Sequence, residues 1–454
     1  MIARAGLVLA TALAGGCTLY HAKPLTGGEA TKVLTSPDRT DLAKRAAAFR
    51  HPLLAPVDLD FSRPLTADEV AVIVVLTNPD LVALRAQQSV ARAQVFAAGL
   101  LPDPQLGGSR ERVVSPRDQG YTTASAENVS LDVLGALATR SLARAAASAS
   151  ADALRLDIAW QEWTTAGEAR LLALRLPYQE HSLDLATGAE ALTERALAAA
   201  SDLSASGDLK ADEVEVRRLS AMDARARRVS AERELEATRL DLNRLLGLAP
   251  GEKLVLASSP ALAPWSTPDA NELFAAARLQ RLDLKALELG YQGQEATYHR
   301  EILGQYPRLT IGINRTTDTS SVLTLGPAIS LDLPLWNRNR GPIEVARAER
   351  ERLAAEYSAR LFQTRADIAA LVTVLDRDER NRAVLRERVP RLVALAAATD
   401  TAAESGDVTR AVADAARLAA TERELELIGA EQSCAEQRLA LKLAVGAPFL
   451  GNGE

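Results

Sequence analysis

The sequence predicts a mainly α-helical chain with a small β part, in which one large unit occurs twice in tandem. Short motifs recur in the same order about 200 positions apart, and segments rich in Ala and Leu are long enough to form extended rods. Two pairs of short alternating segments separate these rods. Each unit is therefore expected to contain a helix, a β-hairpin and a long helical coiled-coil hairpin.

Internal repetition is the most informative feature of the sequence. Pro104-Gln105-Leu106 returns as Pro307-Arg308-Leu309 after 203 positions, and Ser206-Gly207-Asp208 returns as Ser405-Gly406-Asp407 after 199 positions. Three further pairs keep the same order and nearly the same spacing: Asn78-Pro79-Asp80-Leu81 with Arg281-Leu282-Asp283-Leu284, Ser130-Leu131-Asp132 with Ser330-Leu331-Asp332, and Leu245-Leu246-Gly247 with Ala444-Val445-Gly446. This period is too long for a solenoid, so the pattern indicates two copies of one unit.

The composition argues against several classes of protein. A net charge of -6 over 454 residues, with a pI near 5.6, argues against a nucleic-acid partner, which needs a basic face. The 4 histidines have no second ligand at helical spacing, so no metal site is predicted. The sequence contains neither a glycine-rich phosphate loop nor a nucleophile elbow. We therefore expect no enzymatic activity and no cofactor.

The N-terminus has the layout of a secretory signal peptide over residues 1–16, with an apolar core from Leu7 to Leu13. Small residues directly precede Cys17, and this arrangement resembles the lipobox of bacterial lipoproteins, whose cysteine is acylated. Cys17 is therefore the candidate lipidation site, at the start of a tail and linker over residues 17–66. Thr18 after it resembles the residue found in lipoproteins sorted to the outer membrane. An ordinary cleaved signal with an incidental cysteine is the alternative.

The first repeat is predicted over residues 67–246. Its elements are one helix (67–100), strands within 106–134, a long helix (136–203), a tight break (206–208) and a returning helix (209–246). Gly207 supplies the positive φ of such a break, and Asp208 can cap the next helix. At 1.5 Å per residue the long helix would measure roughly 100 Å, which no compact domain accommodates. Residues 247–270 are predicted to be an equatorial linker.

The second repeat is predicted over residues 271–446, and a C-terminal tail over 447–454. Its elements follow the same order: a helix (271–304), strands within 309–335, a long helix (342–405), a break (405–407) and a returning helix (408–445).

Apolar residues near each break are spaced three and four positions apart, which is typical of a coiled-coil seam. Before the two breaks these are Leu185, Ala189, Leu192, Ala196, Ala199 and Leu203, and Val389, Leu392, Ala396, Thr399 and Ala403. On the first returning helix, Leu219, Met222, Ala226 and Val229 are predicted to continue the seam.

The strand segments of the second repeat alternate between apolar residues and small or polar residues. Such alternation over about ten residues is typical of a transmembrane β-barrel strand. Soluble hairpins packed on a domain are the alternative. The first pair is less regular, because residues 107–112 have no apolar face. In a bilayer every strand edge must be paired, and four strands cannot close a barrel. A membrane location would thus require several chains, and three chains would supply twelve strands.

Several segments resemble TolC-type outer-membrane efflux proteins. Residues 64–69 leading to Asn78-Pro79-Asp80-Leu81 resemble the opening of that family, and Arg281-Leu282-Asp283-Leu284 resembles the start of its second repeat. Residues 333–341, between the last strand and the long helix, are similar to the lipoprotein, heavy-metal-efflux branch of the family. The first-repeat counterpart, residues 133–138, is a weaker match.

The resemblance implies a homotrimer with a twelve-strand β-barrel in outer-membrane lipid and an α-helical tunnel in the periplasm. Its implied partners are a periplasmic membrane-fusion adaptor and an inner-membrane pump of the RND type. The implied function is passive conduction of exported substrates, such as metal cations or drugs, through a tripartite efflux system. A periplasmic coiled-coil adaptor and a structural envelope lipoprotein without channel activity are the alternatives.

The same resemblance places both breaks at the periplasmic tip, with Gly207 and Gly406 as the points where the adaptor docks. A trimer would bring three copies of Asp208 and of Asp407 around one opening. Together with Asp212, Glu213 and Glu404, they could form a carboxylate ring that favours cations. The alternative is that these acids cap and solvate the N-termini of the returning helices.

Overall fold

The computed structural model describes residues 20–25, 27–28, 34–112, 123–132, 134–258 and 262–447. The predicted signal peptide, Cys17 and residues 448–454 lie outside the described residues. The first unit contains α2 (Ala67–Thr77), α3 (Pro79–Ala98), β1 (Gln105–Arg112), β2 (Thr123–Asp132), α4 (Leu134–Ala205) and α5 (Ala211–Leu246), and α1 (Arg39–Ala47) precedes it.

The second unit has the same order of elements. It contains α6 (Ala270–Gln280), α7 (Leu282–Leu303), β3 (Arg308–Thr317), β4 (Leu323–Asp332), α8 (Arg340–Ser405) and α9 (Arg410–Val445). The prediction of a mainly helical chain with two tandem repeats is therefore confirmed. At 72 and 66 residues, α4 and α8 are each roughly 100 Å long.

The helix that opens each repeat is broken, so the prediction of single helices over 67–100 and 271–304 is wrong. The breaks fall at Asn78 and Arg281, whose ψ angles are 123° and 121°. Pro79 disfavours the helical conformation for Asn78. No proline follows Arg281, so its extended backbone has another cause.

Tertiary hydrogen bonds fix both breaks in the same way. The Asn78 amide donates to the carbonyl of Leu245 (2.9 Å), and the Arg281 guanidinium donates to the carbonyl of Ala444 (2.9 Å). These acceptors lie 199 positions apart, at the ends of α5 and α9. Each break is therefore held by the returning helix of its own repeat, which satisfies terminal carbonyls that lack an intrahelical partner.

The strands form one antiparallel sheet in the order β1-β2-β3-β4. The two hairpins join where β2 pairs with β3, for example at Val129 and Ile313. β1 pairs with β2 along its whole length despite lacking a continuous apolar face, because the backbone ladder holds it extended. β2 and β4 end at Asp132 and Asp332, a few residues before the predicted limits.

The long helices lie side by side in rows. Away from the sheet the order of contacts is α5–α4–α9–α8, and next to the sheet it is α3–α4–α7–α8. The first repeat thus supplies one edge of each row, α5 or α3, and α8 supplies the other edge. Within the described residues these edge helices are covered on one flank only.

The two repeats contact each other along α4, which packs against α7 next to the sheet and against α9 away from it. The indole N–H of Trp163 donates to the carbonyl of Leu443 (3.3 Å), and Arg175 forms an ion pair with Glu436 (2.8 Å). A Cβ at position 167 would lie 2.4 Å from a Leu443 side-chain carbon. Gly167 therefore permits the close approach of the two helices.

The seam of α5 differs from the predicted one. Its buried residues include a series spaced at multiples of seven positions: Val214, Ala221, Leu235 and Leu242. The predicted Leu219, Met222 and Val229 are exposed, Leu219 to 61%. α5 carries two apolar stripes but lies at the edge of its row, so only one stripe meets α4. In α8, Val389 and Ala396 are buried in the predicted seam.

Candidate functional site: the helical tips and the strand faces

Both predicted breaks are tight turns with a glycine in the left-handed region. The φ of Gly207 is 87° and that of Gly406 is 82°. The backbone N–H of Asp208 donates to the carbonyl of Leu203 (2.8 Å), and that of Asp407 donates to the carbonyl of Ala402 (2.9 Å). No other atom lies within 4 Å of the position of a Cβ at either glycine. The backbone angle is therefore what favours glycine here.

The aspartates at the breaks do not cap the returning helices, so that expectation is wrong. The N-cap residues are Lys210 and Thr409, neither of which makes a side-chain cap hydrogen bond. Instead, the hydroxyl of the serine two positions earlier donates to each carboxylate, from Ser206 to Asp208 and from Ser405 to Asp407, at 2.8 Å in both cases. Each carboxylate remains exposed to solvent.

The two tips differ in charge. Asp212 and Glu213 lie in the first turn of α5, whereas α9, described throughout, has no acidic residue in its first turn. At the second tip Arg410 and Arg417 both reach across the hairpin to Asp400, at 3.4 and 2.7 Å. These three residues were missed in the sequence, where they are separated by about two helical turns or more and match no motif.

One face of the sheet is apolar across the strands. Register pairs Leu309 with Leu331, Ile311 with Ile329 and with Leu131, and Val129 with Ile313 and with Leu106. The next row holds an ion pair between Arg315 and Glu127 (2.9 Å). On β2 and β3 the apolar band therefore ends at a charged row on the side away from the helices, whereas β4 continues it with Leu325, which is paired with Arg315.

The opposite face is polar or small. Asn128 pairs with Asn314, and Thr310 pairs with Ser330. Glycine and alanine at 312 and 328 also lie on this face. A sheet with one apolar and one polar face can separate a hydrocarbon phase from water. Within the described chain, β1 and β4 are the edge strands, and the outer backbone groups of each have no partner strand.

Among the described residues, every helix is too short or too polar to cross a bilayer. No group of three or more His, Cys, Asp and Glu side chains suited to a metal ion occurs in the same part of the chain. Cys434 is buried in α9, and burial raises the pKa of its thiol to about 11. This thiol is therefore protonated at neutral pH and is a poor nucleophile.

Comparison with known families agrees with this arrangement. Residues 273–447, nearly the whole second repeat, match the family model described as outer membrane efflux protein. The second repeat is therefore similar in sequence to the outer membrane efflux protein family. This match agrees with the resemblance of the sequence to TolC-type proteins. No curated protein sequence gives a significant match.

Solved structures of other proteins share the fold of this chain at low sequence identity. The Campylobacter jejuni CmeC outer membrane channel has a TM-score of 0.71 and 14% identity, over 86% of this chain and 87% of that chain. VceC, an outer membrane protein from Vibrio cholerae, has a TM-score of 0.65 and 17% identity, over 85% and 97%. CusC, whose structures concern transmembrane channel formation, has a TM-score of 0.67 and 15% identity, over 88% and 98%.

Proposed function

We propose that this protein is the outer-membrane channel of a tripartite efflux system and that it works as a homotrimer. One observation carries the proposal. The sheet and the helical rows each have two edges without a neighbour, and these edges lie on the same two sides of the chain. β1, α3 and α5 form one edge, and β4 and α8 form the other. Unpaired strand edges beside an apolar face are not stable in lipid.

Head-to-tail contact between these two edges would close a ring. Pairing β1 of one chain with β4 of the next leaves no strand edge open, and the same contact repeats around the ring. Both edges expose large apolar side chains that such contact would bury: Val90 and Phe96 of α3, Leu219 and Met222 of α5, and Phe362 and Leu395 of α8. Three chains would give a twelve-strand barrel, as the resemblance implies.

Conduction through this ring is passive. The polar face of the sheet would line a water-filled lumen, and the apolar face would contact lipid. Asp208 and Asp407 would stand in threefold copies at the tip and favour cations on their way from an inner-membrane pump of the RND type. Metal cations or drugs are the substrates that fit the resemblance. The exposed turns at Gly207 and Gly406 would receive the periplasmic adaptor, and a photo-cross-linking side chain at Ser206 should capture it in cells.

Acylation of Cys17 would add a second membrane attachment. The hydroxyl of Ser36 donates to Glu252 (2.6 Å), which fixes the chain beside the linker between the repeats. The segment between Cys17 and Ser36 can extend to roughly 60 Å, and α3 covers about 30 Å between this level and the sheet. The tail is thus long enough to reach the bilayer. Labelled palmitate should be incorporated into the wild type and not into Cys17→Ser.

Two adjacent residues of β4 provide the test of the channel. Ile329 lies on the apolar face and Ser330 on the polar face. Ile329→Lys should block insertion, because a lysine facing hydrocarbon costs about 2–4 kcal/mol in each of three chains. Ser330→Lys should insert, conduct and shift selectivity toward anions. Single-channel recording and native mass spectrometry of the detergent-extracted protein measure both effects.

The alternatives predict different results in the same experiment. A periplasmic adaptor or a soluble scaffold would be extracted without detergent, and Ile329→Lys would not change its location. An envelope lipoprotein without channel activity would form the trimer but conduct no ions. Equal behaviour of the two lysine variants would contradict the assignment of the sheet faces.

The charge ring at the tip has its own test. Asp208→Asn with Asp407→Asn should lower the cation preference of the open channel, measured as a shift of the reversal potential in a salt gradient. Asp223→Asn, on α5 away from the tip, is the matched control. An unchanged reversal potential in the double variant would remove the selectivity role of these aspartates.

A further inference from the structure

The segment between β4 and α8, residues 333–340, exposes apolar and basic side chains together. Trp336 is 93% exposed, and Leu333 and Leu335 beside it are also exposed. Arg338 and Arg340 follow and are exposed as well. A tryptophan normally buries a large apolar area or lies at an interface between apolar and aqueous phases. Its exposure therefore indicates a surface that is covered in the working protein.

The backbone of this segment is held in an uncommon conformation. Arg338 and Asn339 have φ angles of 49° and 54°, in the left-handed region that non-glycine residues seldom adopt. The Asn339 amide donates to the backbone carbonyl of Glu301 (2.7 Å) and to its carboxylate (3.1 Å), which ties the turn to the end of α7. A Cβ at Gly304 would lie 2.6 Å from the Asn339 side-chain nitrogen.

The charge of the segment is positive on its helix side. α8, which the structure describes throughout, has no acidic residue in its first turn. Arg338 and Arg340 flank the turn, and the backbone N–H of Arg340 donates to the carbonyl of Asn337 (3.0 Å). The segment therefore presents cations next to an exposed indole in a fixed geometry.

The order of residues along the chain matches the order of phases at a membrane surface. The apolar face of β4 continues through Leu333 and Leu335, then comes the indole, and then the two guanidinium groups. Aromatic side chains favour the level of the lipid headgroups, and arginines favour phosphate just beyond it. An uncharged surface partner would leave the arginines without a counterion.

We propose that residues 333–340 form an anchor that binds anionic phospholipid headgroups in the leaflet facing the periplasm. This inference rests on the proposed function, because it requires β4 to lie in the outer membrane. The first repeat lacks this combination of residues: the counterparts of Trp336 and Arg338, 200 positions earlier, are Ala136 and Ala138, and only Arg340 has a basic counterpart, Arg140. A trimer would thus carry three such anchors, all from second repeats.

Fluorescence quenching in nanodiscs tests the anchor in the full-length protein. The chain has 4 tryptophans, of which Trp160 and Trp163 are buried among helices and Trp265 contacts Arg438. Brominated phosphatidylglycerol should quench Trp336 more strongly than brominated phosphatidylcholine at the same mole fraction. We expect a preference of about fivefold for each arginine, since a basic residue at an anionic surface contributes a factor of this size. Trp336→Phe should remove the quenched signal.

Variants separate headgroup recognition from simple contact with lipid. Arg338→Gln with Arg340→Gln should abolish the preference for phosphatidylglycerol while quenching by phosphatidylcholine persists. Arg388→Gln, an exposed arginine of α8 far from the sheet, should leave the preference unchanged. Equal quenching of the wild type by both lipids, or a preference that survives in the double variant, would overturn the proposal.

Conductance of the same nanodisc preparation separates this proposal from the proposed function. A conducting trimer without lipid preference would contradict the anchor alone. A protein that neither inserts nor conducts would contradict the channel, and the anchor would fall with it.

Discussion

The two repeats carry the same ion pair in different surroundings. Glu180 of α4 pairs with Arg239 of α5 (2.7 Å), and Glu379 of α8 pairs with Arg438 of α9 (2.6 Å). Both residues of the second pair lie 199 positions after those of the first. The Glu180 side chain is 53% exposed, whereas the Glu379 side chain is 4% exposed.

The difference comes from what covers each pair. Arg382 also contacts Glu379 (2.7 Å), and the ring of Trp265 lies 5.2 Å from the Arg438 guanidinium carbon. The position of Arg382 corresponds to Leu183 in the first repeat, which packs against the apolar cluster there and leaves Glu180 in water. The duplicated helices thus keep the pair, whereas its burial depends on two neighbours, Arg382 of α8 and Trp265 of the linker between the repeats.

The largest expected effect is that of Glu379→Gln. It would leave the guanidinium groups of Arg382 and Arg438 buried without their carboxylate, which typically costs about 3–5 kcal/mol. We expect a clear fall in the denaturant midpoint of the detergent-solubilised protein. Glu379→Gln combined with Arg382→Leu, which restores the first-repeat residue, should recover part of the loss. A midpoint shift no larger than that of Glu180→Gln would show that burial does not distinguish the two pairs.

The segment before the first repeat makes a buried polar contact with that repeat at His51. Its Nε2 is 3.1 Å from the carbonyl of Ala159, and its Nδ1 accepts the N–H of Leu53 (3.1 Å), so the ring is neutral with the proton on Nε2. The side chain is 2% exposed, and burial lowers its pKa from 6.5 to about 4.

Acid should therefore destabilise the protein through His51. The folded state binds fewer protons at this ring than the unfolded state, so the contribution is fully present above pH 6.5 and is lost as the pH falls toward 4. The loss should reach about 3 kcal/mol. His51→Gln should remove this part of the pH dependence of the unfolding midpoint, and the exposed His181→Gln should not. Identical pH profiles for the wild type and His51→Gln would contradict this role.

A smaller effect is expected at the second tip. Asp400→Asn would weaken the contacts of Arg410 and Arg417 across the α8/α9 hairpin, which contribute about 1 kcal/mol because both arginines are more than half exposed. Amide hydrogen exchange in residues 402–412 should become several-fold faster. The first tip has Ser201 and Ala211 at the corresponding positions of Asp400 and Arg410, so exchange in residues 203–213 should not change and provides the internal control.

Glu180→Gln should have the smallest effect of the series. An exposed ion pair contributes about 0–1 kcal/mol, since water solvates both charges when the pair is lost. When unfolding is measured in high salt, the difference in unfolding midpoint between the wild type and Glu180→Gln should become smaller still. A loss comparable to that of Glu379→Gln would indicate that neighbouring chains of the proposed trimer bury this face.

Sequence patterns were sufficient to predict the two breaks between the long and the returning helices and to predict the second β-hairpin. Ser-Gly-Asp predicts a turn with positive φ at Gly207 and Gly406, because this backbone conformation is strained for residues with a Cβ. The alternation of β4 predicts its two faces. The role of Asp208 and Asp407 as helix caps was predicted wrongly. Each carboxylate could accept a hydrogen bond from a nearby serine hydroxyl or from a backbone N–H of the next helix. The sequence does not distinguish these two donors, and the geometry of the turn does.

The sequence alone determined the duplication, the long rods, the glycine turns and the alternating strands, because these features depend on residues within a few positions of each other. Only the tertiary structure decided which stripe of α5 faces its own chain, why the helix breaks at Arg281, and which of two equivalent ion pairs is buried. Those outcomes depend on which distant segment packs against a helix face. The same local sequence pattern is compatible with a buried face and with an exposed one.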